Sequence, residues 1–326
     1  MLQRLWLDAA RSDRIETALS KRPSLISLSR LAGREMNHVT ACNAAIHPAS
    51  KMVHRTKVTH GCPFRKMTTT MMKNLLAIFA ALLNCATLPA AEEPAPSHSR
   101  LDGLLKKHVK NARVDYAALK AHPEELDGYL YDLAKISPAA FGKLPKSDRL
   151  ACLLNLYNAA TLKLITDHYP LTSIRSIGVL PGAAWRDLRV RFGGQIMSLE
   201  HLENKIIRVE FREPRIHFAL VCAAIGCPPL RSEAYTGARL DRQLDEQARQ
   251  FLGESTKNHF DAGTRTLHLS PIFKWYEADF TPTAGSLAGY VKSYLPAAQR
   301  DALGASQKVA VKFTKYDWAL NDSQRR

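Results

Sequence analysis

The chain has 326 residues, of which 46% are hydrophobic and 23% are charged, and its formal net charge is +16. This length and composition are those of a globular protein, so they exclude wholesale disorder and a polytopic membrane protein. Residues 1–70 hold 12 of the 46 basic residues but only 4 of the 30 acidic ones. About half of the basic excess therefore lies in that segment. No basic helix or aromatic-interleaved patch points to nucleic-acid binding, and we predict no nucleic-acid partner.

Residues 71–91 have the three-part layout of a secretory signal peptide. A short start with Lys73 precedes a nine-residue apolar run at 75–83, and small residues lead to Ala90 and Ala91. The run is far below the roughly 20 residues that span a bilayer, so we expect cleavage and no lasting transmembrane helix. The pattern predicts a periplasmic or secreted protein. Lipoprotein processing at Cys85 and a buried core helix at 71–91 are the alternatives.

Seventy residues precede this signal, although a signal peptide normally begins a protein. Residues 1–70 are rich in Arg, Ser and His and poorly periodic, so we interpret them as a disordered segment upstream of a true start at Met67, Met71 or Met72. A genuine N-terminal extension is the alternative. After the signal, residues 92–100 read as a flexible leader. Residues 101–322 are expected to form one domain.

Within that domain the apolar spacing predicts helices first and hairpins later. Helices are expected at 101–109, 123–136, 149–168, 198–208, 240–252 and 286–294. Strands are expected at 187–192, 195–197, 216–222, 259–260, 266–269 and 309–313. This order favours an α+β fold, with helices packed on a mainly antiparallel sheet, over a repeating parallel α/β sheet.

The helix at 149–168 is apolar almost all round, which indicates a central position. Asn155, Asn158 and Thr161 follow each other at three-residue spacing on one stripe, and Tyr157 lies between them. Burying an unpartnered amide costs roughly 2–7 kcal/mol, so these side chains need partners. They either brace a neighbouring loop through hydrogen bonds or form one wall of a polar pocket.

The segment 215–231 carries a second set of polar residues, with Arg215 at its start. A strand at 216–222 would place His217 and Cys222 on opposite faces, which argues against a direct couple between them. Four residues separate Cys222 from Cys227, and two prolines follow Cys227 in a sharp turn. Three interpretations of these cysteines remain open: a small disulfide, inert core thiols, or a thiolate nucleophile activated by a nearby base. Their spacing matches no common zinc pattern, so neither a metal nor a cofactor is predicted.

The helix that follows Ser198 carries Glu203 at the edge of its apolar stripe. Its carboxylate is expected to pair with an arginine such as Arg208 or Arg215, or else to orient a histidine.

Taken together, these segments resemble a known family, domain of unknown function 547, over about 101–322. The segments that carry the resemblance are VDY (114–116), NLYNA (155–159), YP (169–170), SL (198–199) with Glu203 and Arg208, RIHFAL (215–220), CAAIGCPPL (222–230), AYT (234–236), IFKWY (272–276) and YDW (316–318). The family often has a histidine after the helix glutamate, whereas this chain has Asn204.

The resemblance implies an exported bacterial protein but no particular reaction. It also suggests an analogy to papain-like and transglutaminase-like folds, in which the nucleophile begins the central helix, near Cys152 here. Such an analogy does not establish an activity. Two functions follow as hypotheses. The first is a binding domain whose polar pocket is formed by Asn155, Asn158, Thr161, Tyr157 and Arg215. Its partner would be a small molecule, a peptide or an envelope protein.

The second hypothesis is a thiol-dependent hydrolase or acyltransferase. In it Cys222 or Cys227 is the nucleophile, His217 the base and Glu203 the orienting acid. A reversible redox couple between the two cysteines is a third, weaker possibility.

Overall fold

The computed structural model describes residues 96–304 and 308–325. The segment 1–70, the signal peptide predicted at 71–91 and the first residues of the leader lie outside these ranges.

Helices make up most of the described chain. The α-helices are Ser99–His108, Tyr116–Ala121, Glu124–Ala134, Pro138–Lys143, Lys146–His168, Ala183–Arg186, Leu199–His201, Arg208–Phe211, Ile216–Ala219, Leu240–Gly253, Pro271–Trp275, Glu277–Ala284, Leu287–Lys292 and Ala297–Gly304. Two 3₁₀ turns, Ile174–Ser176 and Gly237–Arg239, and a π-helical stretch, Leu202–Ile207, complete the set.

The strands form small separate sheets instead of one large sheet. Val109–Lys110 pairs with Arg113–Val114, and Val190–Phe192 pairs with Gln195–Met197. Antiparallel strands His259–Asp261 and Thr266–Leu269 form the third sheet, to which Ala310–Phe313 adds a parallel strand. The predicted α+β class is confirmed. The papain-like and transglutaminase-like analogy is not supported, because no extended antiparallel sheet receives the helices in the described ranges.

The central helix, Lys146–His168, organises the first of two apolar clusters. It buries residues on every side, as its sequence predicts, and it ends just before Tyr169 and Pro170. The second cluster combines aliphatic side chains with six buried aromatic ones, namely Phe218, Phe251, Phe260, Phe273, Phe280 and Tyr290. Ile216 and Ala219 belong to the first cluster and Phe218 to the second, so the short helix Ile216–Ala219 joins the two.

The strand expected at 216–222 is wrong, because its first four residues form the helix Ile216–Ala219. A short apolar run does not distinguish a buried strand from a buried helical turn by periodicity. Only residues 220–222 of the predicted strand lie outside this helix, and they pair with no strand among the described residues. Instead, the side chain of Asn158 accepts from the backbone nitrogen of Val221 at 3.0 Å and donates to the carbonyl of Ala219 at 2.9 Å. A buried amide thus takes the place of a partner strand.

No helix in the described part of the chain has both the length and the apolarity to cross a membrane.

The partly buried histidine His98 is expected to make stability depend on pH. Burial lowers the pKa of His98 from 6.5 to about 4, although Asp148 opposes the shift, and its Nδ1 lies 2.8 Å from the hydroxyl of Tyr129. The unfolded chain binds this proton below about pH 6.5, whereas the folded chain binds it only near pH 4. The contribution of neutral His98 to the free energy of unfolding is therefore complete above pH 6.5, and it is lost as the pH falls towards 4.

The His98→Gln variant should take up about one proton fewer on unfolding at pH 5 than the unmodified chain, in urea titrations at several pH values. His122→Gln, at an exposed position, is the matched control. Equal pH slopes for the two variants would contradict this assignment.

Candidate functional site

A narrow recess brings together side chains from six separate segments of the chain. Its volume is about 40 Å³. Its lining residues are Tyr157, Trp185, Glu203, His217, Leu220, Cys222, Cys227, Pro228, Ile272, Trp275, Tyr276, Tyr316 and Trp318. A buried water occupies roughly 10–15 Å³ on the same scale, so the recess has room for about three water molecules or for the end group of a ligand.

His217 is held at the base of the recess by an ionic network. Its Nε2 lies 2.6 Å from Oδ2 of Asp279, and its ring stacks on Tyr276 with centroids 3.9 Å apart. Asp279 also accepts two hydrogen bonds from Arg208, at 2.7 and 2.8 Å, and Arg208 donates a third to Asn204 at 2.7 Å. This bidentate pair fixes the carboxylate, which in turn orients the imidazole.

The pKa values of this network follow from burial and from its hydrogen bonds. Burial opposes the charged form of Asp279, but the hydrogen bonds from His217 and Arg208 outweigh it and hold the pKa of this carboxyl well below its usual range. Burial lowers the pKa of His217, and the contact with Asp279 opposes this only in part. The imidazole is therefore neutral at pH 7, next to an Asp–Arg pair whose charges cancel.

Glu203 is a buried carboxylate that only neutral groups contact. The hydroxyl of Tyr276 donates to its Oε1 at 2.7 Å, and the hydroxyl of Tyr157 donates to its Oε2 at 3.1 Å. Glu203 takes part in no ion pair with any described residue, so the predicted pair with Arg208 or Arg215 is wrong. Glu203 lies in the π-helical stretch Leu202–Ile207, a kind of distortion that is frequent at functional sites.

The two cysteines close one side of the recess. Their sulfur atoms lie at disulfide distance, and their Cα atoms are 6.3 Å apart. The hydroxyl of Tyr316 lies 3.2 Å from the sulfur of Cys222 and 3.1 Å from that of Cys227. Of the three open interpretations, the geometry matches the small disulfide. The prediction that His217 and Cys222 point to opposite faces is wrong, because the segment is not a strand and both residues line the recess.

Aromatic rings form the rest of the wall. Trp275, Tyr316 and Trp318 contact one another with ring centroids 4.6 to 5.9 Å apart, and Trp185 meets Trp318 edge-on at 6.2 Å. Three of the four tryptophans of the chain line this one recess. Tryptophan fluorescence is therefore a direct reporter of its occupancy.

The polar stripe of the central helix does not line the recess. Asn155 donates to the carbonyl of Tyr235 and accepts from its backbone nitrogen, at 2.8 and 2.9 Å. Asn158 braces the segment after His217, and Thr161 donates to the carbonyl of Tyr157 on its own helix. These contacts match the prediction that the stripe braces neighbouring segments through hydrogen bonds, and not the prediction that it forms one wall of a polar pocket. Tyr157 is the one predicted pocket residue of this helix that lines the recess.

Arg215 lies elsewhere, in an open cleft of about 800 Å³ that is lined by the beginning of the central helix and residues 237–242. It pairs with Glu213 at 2.8 Å and with Asp241 at 2.7 Å, so its charge is already neutralised. Cys152 is also remote from any exposed surface: burial raises the pKa of its thiol to about 12. A protonated, buried thiol has no nucleophilic character.

Among the described residues no group of three or more His, Cys, Asp and Glu side chains could hold a metal ion.

Sequence reasoning missed the partner of the histidine and most of the aromatic wall. Asp279 is 62 residues from His217 and has no motif of its own. The aromatic residues did carry a signal, since Trp275 and Tyr276 lie in the segment IFKWY, and Tyr316 and Trp318 in YDW. Both segments contributed to the family resemblance without being assigned to a site.

The fold and the recess define a mainly helical α+β domain with a disulfide-edged, aromatic-walled polar recess. The family described as "Protein of unknown function, DUF547" matches residues 141–252, which include Tyr157, Glu203, His217 and both cysteines of the recess. This match, which covers about a third of the chain, supports membership of the DUF547 family. No curated protein and no solved structure matches the chain.

Proposed function

We propose that this protein is an exported binding domain whose recess receives the end group of a small molecule or of a peptide. One observation carries the proposal: neutral His217, buried Glu203 and a continuous aromatic wall converge on one small space. Polar groups placed at the base of an apolar wall are the usual composition of a ligand site. The two sulfur atoms are paired with each other, which leaves no free thiol in the recess for a reaction.

The size of the recess defines how a ligand binds. Sites that enclose a whole drug-sized ligand have volumes of about 300–1,000 Å³. A space of about 40 Å³ holds only a terminal group, so the remainder of the ligand lies outside, against the rim that Trp275 and Trp318 form.

Two observations support export. Residues 71–91 have the pattern of a signal peptide, and cysteines at disulfide distance are typical of proteins that leave the reducing cytoplasm.

The binding function is tested by tryptophan fluorescence on the full chain with Trp6→Phe, so that every remaining tryptophan lines the recess. The probes share a four-carbon skeleton and differ in their polar end group: butylammonium, butanoate, 1-butanol and butanamide. At least one of them should shift the emission in a saturable manner. Leu220→Phe, which fills the recess, should weaken that binding at least about tenfold.

The matched control is Leu188→Phe, at a side chain that is 70% exposed and remote from the recess lining. No saturable response to any of the four probes, or equal binding by the two phenylalanine variants, would rule the proposal out.

A thiol-dependent hydrolase or acyltransferase is the second candidate, because Cys222, Cys227, His217 and Glu203 all line the same recess. It requires reduction of the cysteine pair. We expect iodoacetamide to label Cys152, but neither Cys222 nor Cys227, in the unfolded chain without reductant; peptide mass spectrometry measures this. Labelling of Cys222 or Cys227 under these conditions would favour the thiol enzyme over the binding domain.

A further inference from the structure

The charges around the recess do not balance. Arg208 and Asp279 form a bidentate pair whose charges cancel, and burial lowers the pKa of His217, which favours its neutral form. Lys257, which donates to the carbonyl of Cys227 at 2.7 Å, is paired with Glu254 at 2.8 Å. Glu203 is left with two phenol donors and no cation within ion-pair distance among the described side chains. Glu203, which is only 7% exposed, is therefore the one acidic side chain of the recess lining, and this lining contains no lysine or arginine.

The aromatic wall, like Glu203, favours a positively charged ligand. The faces of tryptophan and tyrosine rings carry negative electrostatic potential, and a cation near them is stabilised most where water is excluded. Two cations of this chain already use these rings: Arg175 lies 5.1 Å from the ring of Trp318, and Arg208 lies 5.1 Å from that of Tyr276. Neither arginine lines the recess, so both approach from outside it.

The hydrogen-bonding groups distinguish between kinds of cation. The hydroxyls of Tyr157 and Tyr276 use their protons on Glu203. The oxygen of Tyr276 is left as an acceptor, as are the oxygens of the carboxylate, whereas the oxygen of Tyr157 already interacts with the side chain of Trp185. A primary ammonium group has three N–H donors and no acceptor, which complements this set. With its first methylene it also fits into about 40 Å³, whereas a trimethylammonium group is too bulky.

We propose that the recess binds a primary ammonium group on an unbranched alkyl stem, such as an alkylamine or the end of a lysine side chain. This inference rests on the proposed binding function. The ammonium nitrogen lies against Glu203 and the phenol oxygen of Tyr276, and the stem leaves past Trp275 and Trp318.

The same fluorescence titration tests the inference. Butylammonium should bind at least about tenfold more tightly than 1-butanol, butanoate or N,N,N-trimethylbutylammonium. Glu203→Gln, which keeps the size of the side chain and removes its charge, should weaken butylammonium binding by about 10- to 100-fold. Glu200→Gln, one turn earlier on the same helical segment and not part of the lining, is the matched control and should bind butylammonium as the parent chain does.

A second variant tests the same inference independently, in case Glu203→Gln does not fold. Tyr276→Phe keeps the ring that stacks on His217 and removes one acceptor, so it should weaken butylammonium binding but not that of 1-butanol. Preference for butanoate or 1-butanol, or unchanged affinity in both variants, would overturn the ammonium inference and leave the binding function standing. Absence of binding by every probe would overturn both.

Discussion

Asp279→Ala is expected to lower the free energy of unfolding by about 3 kcal/mol, at the lower end of the range for a broken buried ion pair. The variant leaves the guanidinium of Arg208 and the imidazole of His217 without their shared acceptor. Their side chains are 13% and 2% exposed, so water replaces the lost carboxylate poorly. Urea denaturation followed by circular dichroism at pH 7 measures this loss.

The control for this variant is Asp132→Ala. Asp132 lies 3.6 Å from Arg100, and both side chains are about half exposed, at 55% and 47%. Exposed pairs of this kind contribute at most about 1 kcal/mol. If Asp279→Ala lowered the free energy of unfolding by no more than Asp132→Ala, the ionic network would not support the base of the recess.

Gly226→Ala should destabilise the chain by about 2–3 kcal/mol and also abolish the tryptophan response to bound probes. A Cβ atom on Gly226 would lie 2.8 Å from the backbone nitrogen of Asp317 and 2.9 Å from its carbonyl oxygen. Gly226 itself donates to that carbonyl at 2.8 Å. The added methyl group therefore displaces the backbone segment that carries Tyr316 and Trp318, two residues of the recess wall. Urea denaturation and the fluorescence titration measure the two effects.

The same substitution at Gly103 should stabilise the chain instead of destabilising it. Gly103 is exposed in the helix Ser99–His108, and a Cβ atom there would meet nothing within 4 Å. Alanine lowers the entropy of the unfolded chain, so Gly103→Ala should stabilise the protein by about 0.5–1 kcal/mol. A Gly226→Ala variant of unchanged stability and unchanged probe binding would show that the close approach to Asp317 is not needed.

Several of the residues predicted for the site do lie together. His217, Glu203, Tyr157, Cys222 and Cys227 line one recess, although the predicted geometry was partly wrong. These residues could be predicted as site residues from the sequence. A histidine, a carboxylate and two close cysteines are each unusual in a hydrophobic context.

Other parts of the site were not predictable from local patterns. The amides of Asn155 and Asn158 had to have partners, but whether these were a ligand or the backbone of a loop depends on which segment packs against the central helix. The sequence predicts a strand where the helix Ile216–Ala219 lies, because a short and mainly apolar run fits both periods. The contacts of Asn158 with the backbone of Ala219 and Val221 stabilise the observed conformation.

By itself the sequence determined the long central helix, the hairpins around Gly193 and at 259–269, and the α+β class, since all of these depend on spacing within one segment. Only the tertiary structure decided that Asp279 orients His217, that Glu203 meets two tyrosines instead of an arginine, and that three tryptophans surround one recess. The recess brings together residues up to 161 positions apart, from Tyr157 to Trp318, and packing between segments selects them, not the preference of any one segment.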